Sequence, residues 1–547
     1  MSDIVVNQYG DHSVYIGEVN GNVFMNVPDN SPDYRQIFHD ISTDLRKWRS
    51  VLYQERHIPR PQTDSLMGWI DADGGKDKER VALLVGAPGS GKSVVMHDVL
   101  ELLEKRSDVY VLGLKSDQIG FESMESLASQ SGISNRMEDV IGNLAGESEI
   151  KRVVLLVDQI DALSLTLSSN RKPLRSILRF IENIQSLEKV RIVVSCRPYD
   201  LEYDPYLEQF QYGNRVQMDL LSPNVVEEVL RVNNRTVFPQ NTNLFNTLRT
   251  PLYLYLFLKL KDDSIDITLT EHGLYGKLWE QTINGESESS SDRVNHQRLL
   301  QLLDLITGRM YDSQSLMVYR PSIDSTYSHE LDYLLHEEVL IEVSEKRLQF
   351  FHQSLFDYVY ARRFVEREDD LLSTIRDRHQ GLFIRALVKS VLTFMREGAF
   401  PAYLSAVRSL LFETDASGKD MYRFHLKTLV LSMMGYSQNL KPAEISFVRD
   451  ELSNNRQYAE LFAKGIRTGE WFIEIQKIID HSQGWQAMSE NDCLLMLSIS
   501  SRLIYTEPYL VLTYLIKNIH ADLGPSVRNG VINILNSFKP KKGQQSD

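Results

Sequence analysis

The feature that most constrains this chain is a glycine-rich loop between an apolar strand and a helix. The apolar run 81–85 precedes the loop, and a helix-compatible stretch at 94–105 follows it. The loop reads Gly86-Ala87-Pro88-Gly89-Ser90-Gly91-Lys92-Ser93. Its glycines let successive backbone N–H groups turn toward a phosphate, and the helix N-terminus adds partial positive charge. The strand–loop–helix context predicts a phosphate-binding P-loop.

The P-loop also predicts the ligands. Lysine at the seventh position reaches the terminal phosphates of a nucleotide, and the hydroxyl at the eighth ligates Mg²⁺. We therefore expect residues 86–93 to bind ATP or ADP, with Lys92 on the phosphates and Ser93 as a metal ligand.

A second apolar run ends in acidic residues. Residues 153–157 are followed by Asp158 and then by Asp161. An unbroken apolar run is typical of a parallel strand buried on both faces, and open α/β sheets bind ligands at the carboxyl ends of their strands. We expect Asp158 to hold the metal as part of the catalytic site, and Asp161 to orient the attacking water. The alternative for either residue, and above all for Asp161, is a helix cap.

A third predicted strand, residues 191–195, leads into Cys196, Arg197 and Pro198. An arginine after a strand is often only a surface charge. Because Arg197 follows a P-loop and an acidic strand end in that order, we predict that it contacts the terminal phosphate.

A fourth stretch completes a resemblance to a known family. It reads Phe350-Phe-His352-Gln-Ser354-Leu-Phe-Asp357-Tyr358-Val-Tyr-Ala361. With the other three motifs, it makes residues 76 to about 366 resemble the NACHT family of STAND-class signalling ATPases. The resemblance implies that His352 contacts the nucleotide phosphates and holds a closed, ADP-bound form. It also implies that Pro251 contacts the base. Without the resemblance, a core histidine and a proline at a helix start are the simpler interpretations.

The second motif departs from the family pattern. Gln159 stands where a glycine is usual, and Ala162 stands where a final glutamate is expected. Only Asp161 is left to orient water, so we expect slow ATP hydrolysis of the kind that suits a switch.

The order of apolar runs predicts an α/β part followed by an all-α part. The parts are a P-loop doubly wound parallel sheet, a small helical domain, a winged helix and a C-terminal helical array. One helix is expected over 34–54. The predicted domains are 1–27 (a short β-rich segment), 28–75 (a helical linker), 76–221 (the NACHT nucleotide-binding domain), 222–284 (the small helical domain), 285–370 (the winged helix) and 371–547 (a helical, sensor-like domain).

Composition excludes some classes of protein. Two cysteines among 547 residues cannot form a disulfide framework, which predicts a reducing, cytoplasmic location. The longest apolar cluster, 252–258, is too short to span a membrane, and no signal peptide is visible. A net charge of −14 argues against a general nucleic-acid surface.

The first 27 residues are rich in asparagine and glycine around short β-forming runs. Two interpretations remain open. The segment is either an edge strand or hairpin that packs on the body, or a self-templating cross-β adaptor, since asparagine ladders stack well. The second interpretation makes it the contact for an effector partner.

These features favour an ATP/ADP-gated signalling switch that self-associates on activation. The family resemblance adds a role in antiviral defence in a bacterium, with a trigger such as a viral protein at the C-terminal helical domain. The alternatives are an AAA-like remodelling ATPase, which turns over ATP continuously, and a STAND-type transcriptional regulator, which binds DNA.

Overall fold

The computed structural model describes residues 6–8, 14–16, 32–48, 57–73, 80–119, 121–163, 171–204, 206–207, 209–210, 214–236, 239–240, 242–260, 270–284, 295–323, 325–343, 346–380, 384–479, 485, 488–504, 506–519 and 523–537. At the N-terminus, strand β1 (Val6–Gln8) pairs antiparallel with β2 (Val14–Ile16). How this hairpin packs against the rest of the chain lies outside the described residues. Three helices follow: α1 (Tyr34–Ile41), α2 (Thr43–Arg46) and α3 (Pro61–Asp71).

The centre of the molecule is a parallel sheet of five strands. Their spatial order is β4-β5-β6-β3-β7. The strands are β3 (Val81–Val85), β4 (Val109–Lys115), β5 (Arg152–Asp158), β6 (Val190–Cys196) and β7 (Asn214–Gln217). The apolar runs predict this sheet, and the predicted α/β class is confirmed.

Helices cover both faces of the sheet. They are α4 (Lys92–Glu104), α5 (Met124–Gln130), α6 (Met137–Gly146), α7 (Lys172–Ile184) and α8 (Pro198–Tyr203). Successive side chains of a strand point to opposite faces. Accordingly, Val153 and Leu155 of β5 enter one apolar core, and Val154 and Leu156 enter another. The sheet thus has an apolar core on each of its faces, as a doubly wound fold requires.

The predicted helix over 34–54 is interrupted at Ser42. The Ser42 hydroxyl donates to the Phe38 carbonyl at 2.6 Å and accepts from the Gly113 N–H at 2.8 Å. Gly113 belongs to β4, an edge strand whose outer N–H groups lack a neighbouring strand. A Cβ on Gly113 would lie 3.0 Å from Leu45 Cδ2, so glycine permits the close approach. The break therefore lets α1 and α2 cover the sheet edge. Residues 49–56 lie outside the described part.

A second compact region follows the sheet. It contains α9 (Pro223–Val232), α10 (Asn243–Leu248), α11 (Pro251–Lys259), α12 (Glu271–Thr282), α13 (His296–Asp312), β8 (Val318–Tyr319), α14 (Ser328–His336), β9 (Leu340–Val343), β10 (Arg347–Phe350) and α15 (Gln353–Glu366). Strand β10 pairs antiparallel with β8 and β9, which gives the three-stranded sheet of a winged helix. One apolar core runs from Leu221 to Val359. Residues on both sides of position 284 thus pack together.

The rest of the described chain is an array of helices, as predicted. They are α16 (Leu371–Asp377), α17 (Ile384–Gly398), α18 (Phe400–Phe412), α19 (Phe424–Tyr436), α20 (Pro442–Asp450), α21 (Arg456–Gly465), α22 (Gly469–Ile479), α23 (Glu490–Leu503), α24 (Pro508–Asn518) and α25 (Pro525–Ser537). Their core starts in α15 with Ala361 and Phe364 and continues to Ile534. Among the residues described, no helix combines the length and apolarity needed to cross a membrane.

Candidate nucleotide-binding site

The P-loop has the backbone geometry that its glycines permit. Gly89 has a φ of +71° and Gly91 a φ of +93°, both in the left-handed region that glycine adopts freely. The loop rests on helix α11, because the Leu252 N–H donates to the Gly89 carbonyl at 3.2 Å. A Cβ on Gly89 would lie 2.5 Å from Leu252 Cβ. Glycine is therefore required here both by conformation and by the contact.

A cavity of about 540 Å³ opens beside the P-loop. Segments that are distant in sequence meet around it, among them the P-loop, the residue that follows β6, the start of α11 and the start of α15. The predicted residues in its wall are Pro88, Gly89, Gly91, Lys92, Ser93, Arg197, Pro251 and His352. Gly86, Ala87 and Ser90 complete the loop without lining the cavity, and Asp158 and Asp161 lie behind its wall.

Lys92 is folded back onto its own loop. Its ammonium donates to the Gly86 carbonyl at 2.8 Å and to the Ala87 carbonyl at 3.1 Å. Burial lowers the pKa of Lys92 to about 8, although the Asp161 carboxylate opposes the shift. A phosphate in the cavity would offer this ammonium a charged acceptor in place of two neutral carbonyls, and charge-assisted hydrogen bonds are the stronger kind.

Asp158 ends β5 and is completely buried. Its Oδ1 accepts from the Ser195 hydroxyl at 2.6 Å, and its Oδ2 accepts from the Lys115 ammonium at 3.2 Å. Ser195 also accepts from the Gln159 N–H at 2.8 Å. The carboxylate is thus held by its neighbours on both adjacent strands.

Asp161 lies in a 3₁₀ turn just after β5 and forms an ion pair with Arg197, Oδ2 to Nε at 3.1 Å. Burial raises the pKa of Asp161 to about 6, against the opposing charge of Arg197. Arg197 also donates to the side-chain oxygen of Gln353, the first residue of α15. Burial alone would lower the pKa of Arg197, but the carboxylates of Asp161, Asp200 and Asp357 raise it. Arg197 therefore joins the nucleotide-binding domain to the winged helix.

His352 caps the N-terminus of α15. Its Nδ1 accepts from the Ser354 N–H at 3.1 Å. Burial lowers the pKa of His352 to about 3, and the cationic side chains of Arg197 and Lys92 act in the same direction. The imidazole is therefore neutral near pH 7. Because Nδ1 is the acceptor, the proton is on Nε2, which leaves this nitrogen as a hydrogen-bond donor.

Gln159 occupies the position where the family pattern has glycine, and its φ is +53°. A side chain at such a φ is uncommon, which explains why glycine is the usual residue. The Gln159 amide donates to the Ser93 hydroxyl at 3.0 Å. Mg²⁺ is the ion that the P-loop implies, and Ser93 and Asp158 are its predicted ligands. With Ser93 bonded to this amide and Asp158 bonded to an ammonium, the two residues as arranged do not fit a resident Mg²⁺ ion.

Residues of the site that were not predicted from the sequence include Trp48, Gln353 and Lys115. Trp48 lines the cavity, Gln353 binds Arg197, and Lys115 pairs with Asp158. The available signal was a lysine at the end of the apolar run 109–114, since a strand end in an open parallel sheet is a ligand-binding position.

The fold and the site together define a P-loop nucleotide-binding protein. Residues 82–218 match the model of the family described as ATPase family associated with various cellular activities (AAA). This part of the chain is therefore an AAA-type P-loop ATPase domain, which implies that it binds a nucleotide. No curated protein matches the sequence.

Solved structures to which this chain is similar include three proteins. The Walker-type ATPase PABY2304 of Pyrococcus abyssi has 14% identity and a TM-score of 0.27, covering 58% of this chain and 99% of its own. Cdc6p of Pyrobaculum aerophilum has 12% identity and a TM-score of 0.26, covering 59% and 97%. Orc1 of Aeropyrum pernix, solved in complex with DNA, has 15% identity and a TM-score of 0.27, covering 57% and 94%.

Proposed function

We propose that the protein is an ATP/ADP-gated switch of the NACHT type. The observation that carries the proposal is the position of α15. Its cap residue, His352, lies in the cavity wall, and its first residue, Gln353, accepts a hydrogen bond from Arg197. The winged helix therefore closes over the P-loop in the described structure, and a nucleotide in the cavity lies between the two.

The geometry gives ADP and ATP different effects on this closure. The diphosphate can take up the Lys92 ammonium and the Nε2–H of His352 while Arg197 stays bonded to Asp161 and Gln353. A third phosphate adds a charged acceptor that competes with these two partners for Arg197. A ligand shifts a conformational equilibrium only through such a difference in contacts. ATP thus weakens the link to α15, and ADP preserves it.

The biological role follows from the family resemblance. Opening of α15 would expose surface for self-association, and the four NACHT-like motifs support a role in antiviral, anti-phage defence. In this proposal the C-terminal helical array receives the trigger and residues 1–27 contact an effector. The cytoplasmic location remains a prediction from the cysteine content.

The AAA match favours a second candidate, a remodelling ATPase that turns over ATP continuously. Ala162, where a glutamate is expected, argues for slow turnover and hence for the switch. Steady ATP turnover by the purified protein without any trigger would favour the remodelling enzyme.

Two variants of His352 test the switch. His352→Ala removes both the donor to the phosphate and the cap of α15, and a lost cap costs about 1 kcal/mol. His352→Asn is the matched control for the cap, because asparagine is a preferred N-cap residue but is too short to reach the phosphate in the same way. If the histidine holds the ADP-bound form, both variants should weaken ADP binding and should self-associate without a trigger.

The outcomes separate the explanations. If only His352→Ala self-associates, the histidine acts through the helix cap and its contact with the phosphate is refuted. If both variants stay monomeric with the ADP affinity of the unmodified protein, the switch itself is contradicted. Phage plating on cells that express the protein or Lys92→Ala tests the defence role, for which only the unmodified protein should reduce plaque numbers.

A further inference from the structure

Lys115 is a fully buried cation at the carboxyl end of β4. Its ammonium lies 2.9 Å from Asp117 Oδ1 and 3.2 Å from Asp158 Oδ2, and none of its side chain is exposed. The indole ring of Trp48 lies over it, with 4.0 Å from Nζ to the ring centre. Burial alone would lower the pKa of Lys115, but the two carboxylates raise it above its ordinary value. The two carboxylates compensate much of the cost of burying this ammonium.

The register of the parallel sheet determines the position of Lys115 relative to Asp158. Strand β4 pairs in parallel with β5, and Lys115 is the direct partner of Asp158. Partner residues on neighbouring strands point to the same face of a sheet, so their side chains meet. The contact is therefore built into the fold and does not depend on a mobile loop.

The ammonium occupies an oxygen of Asp158, the carboxylate that a P-loop site would use to hold a divalent cation. Asp158 accepts from Lys115 on one oxygen and from Ser195 on the other. The Ser93 hydroxyl accepts from the amide of Gln159. A Mg²⁺ ion placed between these ligands would meet one positive charge and one N–H group, whereas it requires six oxygen ligands in near-octahedral geometry.

We propose that Lys115 is the built-in counter-ion of Asp158 and replaces the divalent cation in the closed form, which then binds ADP without Mg²⁺. The inference rests on the proposed nucleotide site and adds that the closed form of this site binds its nucleotide without a metal ion. Neutralisation of the diphosphate is left to Lys92, which lines the cavity. Asp117 can keep Lys115 paired when Asp158 is released.

Equilibrium binding to the unmodified full chain tests the proposal directly. The probe is a fluorescent ADP analogue, titrated in excess EDTA and again in excess MgCl₂. The two dissociation constants should differ by less than about threefold, a smaller change than the tenfold change that corresponds to about 1.4 kcal/mol. Binding that is tighter in Mg²⁺ by about threefold or more overturns the proposal. Failure to bind ADP in either buffer would instead refute the nucleotide site itself.

Mn²⁺ without nucleotide, followed by electron paramagnetic resonance, gives a second readout. The unmodified protein should leave Mn²⁺ free. Lys115→Met removes the ammonium at similar side-chain volume and should create a Mn²⁺ site that Asp158→Asn abolishes. Because Lys115→Met also leaves two buried carboxylates, the double variant Lys115→Met/Asp117→Asn removes the excess charge and protects folding. Lys172→Met is the matched control, since Lys172 is an exposed lysine paired with Glu122.

Mn²⁺ binding to these variants can either support or overturn the proposal. Mn²⁺ bound by the unmodified protein and lost in Asp158→Asn would overturn the proposal, because Lys115 would then fail to exclude the metal. Acquisition of the site by Lys115→Met or the double variant, but not by Lys172→Met, supports it. If neither Lys115 variant folds, the EDTA comparison on the unmodified chain still decides.

Discussion

At the scale of single residues, the site depends on which side chains keep their charge when buried. Lys92 has a pKa lowered to about 8 by burial, and His352 has one lowered to about 3. The lysine therefore titrates close to physiological pH, whereas the histidine stays neutral throughout. The phosphate contact thus depends on pH through Lys92.

This difference predicts the pH dependence of ADP binding. A bound phosphate favours the ammonium form of Lys92, so binding takes up a proton at any pH above the pKa of the free protein. Affinity should therefore fall as pH rises beyond about 8, approaching tenfold per pH unit. Lys92→Arg is the control, because arginine stays charged and its affinity should vary little over the same range. Fluorescence titrations across this range measure both, and a flat profile for the unmodified protein contradicts the shift.

Local patterns could predict the P-loop and Arg197, because a loop or strand end carries its own chemistry, whereas His352 was predicted from the family resemblance. The structure brings these residues to one cavity. The partnership of Lys115 and Asp158 was not predictable, because it depends on the register of two strands whose residues are 43 positions apart. The roles of the P-loop residues, Arg197, His352, Asp158, Asp161 and Pro251 all remain predictions.

At the scale of elements, α15 joins two cores. Leu355 and Val359 pack into the core of the winged helix, and Ala361 and Phe364 pack into that of the helical array. Its N-terminus meets the nucleotide-binding domain through Gln353 and Arg197. A rigid helix with these three attachments can carry a change at the phosphates to the C-terminal array.

The α1–α2 turn at the sheet edge supplies a prediction about stability. Ser42→Ala removes the acceptor of the Gly113 N–H and leaves that buried donor unpaired, at a cost of about 1 to 3 kcal/mol. Ser65→Ala is the control, since the Ser65 hydroxyl bonds only the Pro61 carbonyl on an exposed helix turn, and should cost less than about 0.5 kcal/mol. Urea denaturation of both variants, read at the first transition, measures the difference. Equal stabilities would show that Ser42 is not needed at the edge.

Strand and helix bounds near the motifs could be predicted closely, because period and caps are local signals. The strand over 81–85 has the predicted ends. The break at Ser42 was missed because its reason lies 71 residues away, in the edge strand that it covers. The predicted helical linker over 28–75 gave no bounds for helix α3, which begins at Pro61.

At the scale of the whole molecule, the chain forms apolar cores that share secondary-structure elements, as helix α15 contributes residues to two of them. The core from Leu221 to Val359 spans the predicted small helical and winged-helix domains. A sequence shows a polar stretch between two apolar regions, but it does not show whether those regions pack together. The predicted domain boundaries therefore remain predictions.

The N-terminal segment supplies the prediction at this scale. Deleting residues 1–27 should leave a protein that still binds ADP and still self-associates, but has no defence activity in cells. The reason is that the segment is short and β-forming, and a strand edge can pair with a second chain. Thermal unfolding with and without the segment is the control. A truncated protein that aggregates or melts much earlier would show that the segment belongs to the core.

The central claim is that the closed form holds ADP. Purified full-length protein should release roughly stoichiometric ADP when it is denatured and its nucleotides are separated by chromatography, and Lys92→Ala prepared in the same way should release none. Such a result places ADP between the P-loop and α15, as a switch at rest requires. An empty site together with rapid, untriggered ATP turnover would contradict the account and favour a remodelling ATPase.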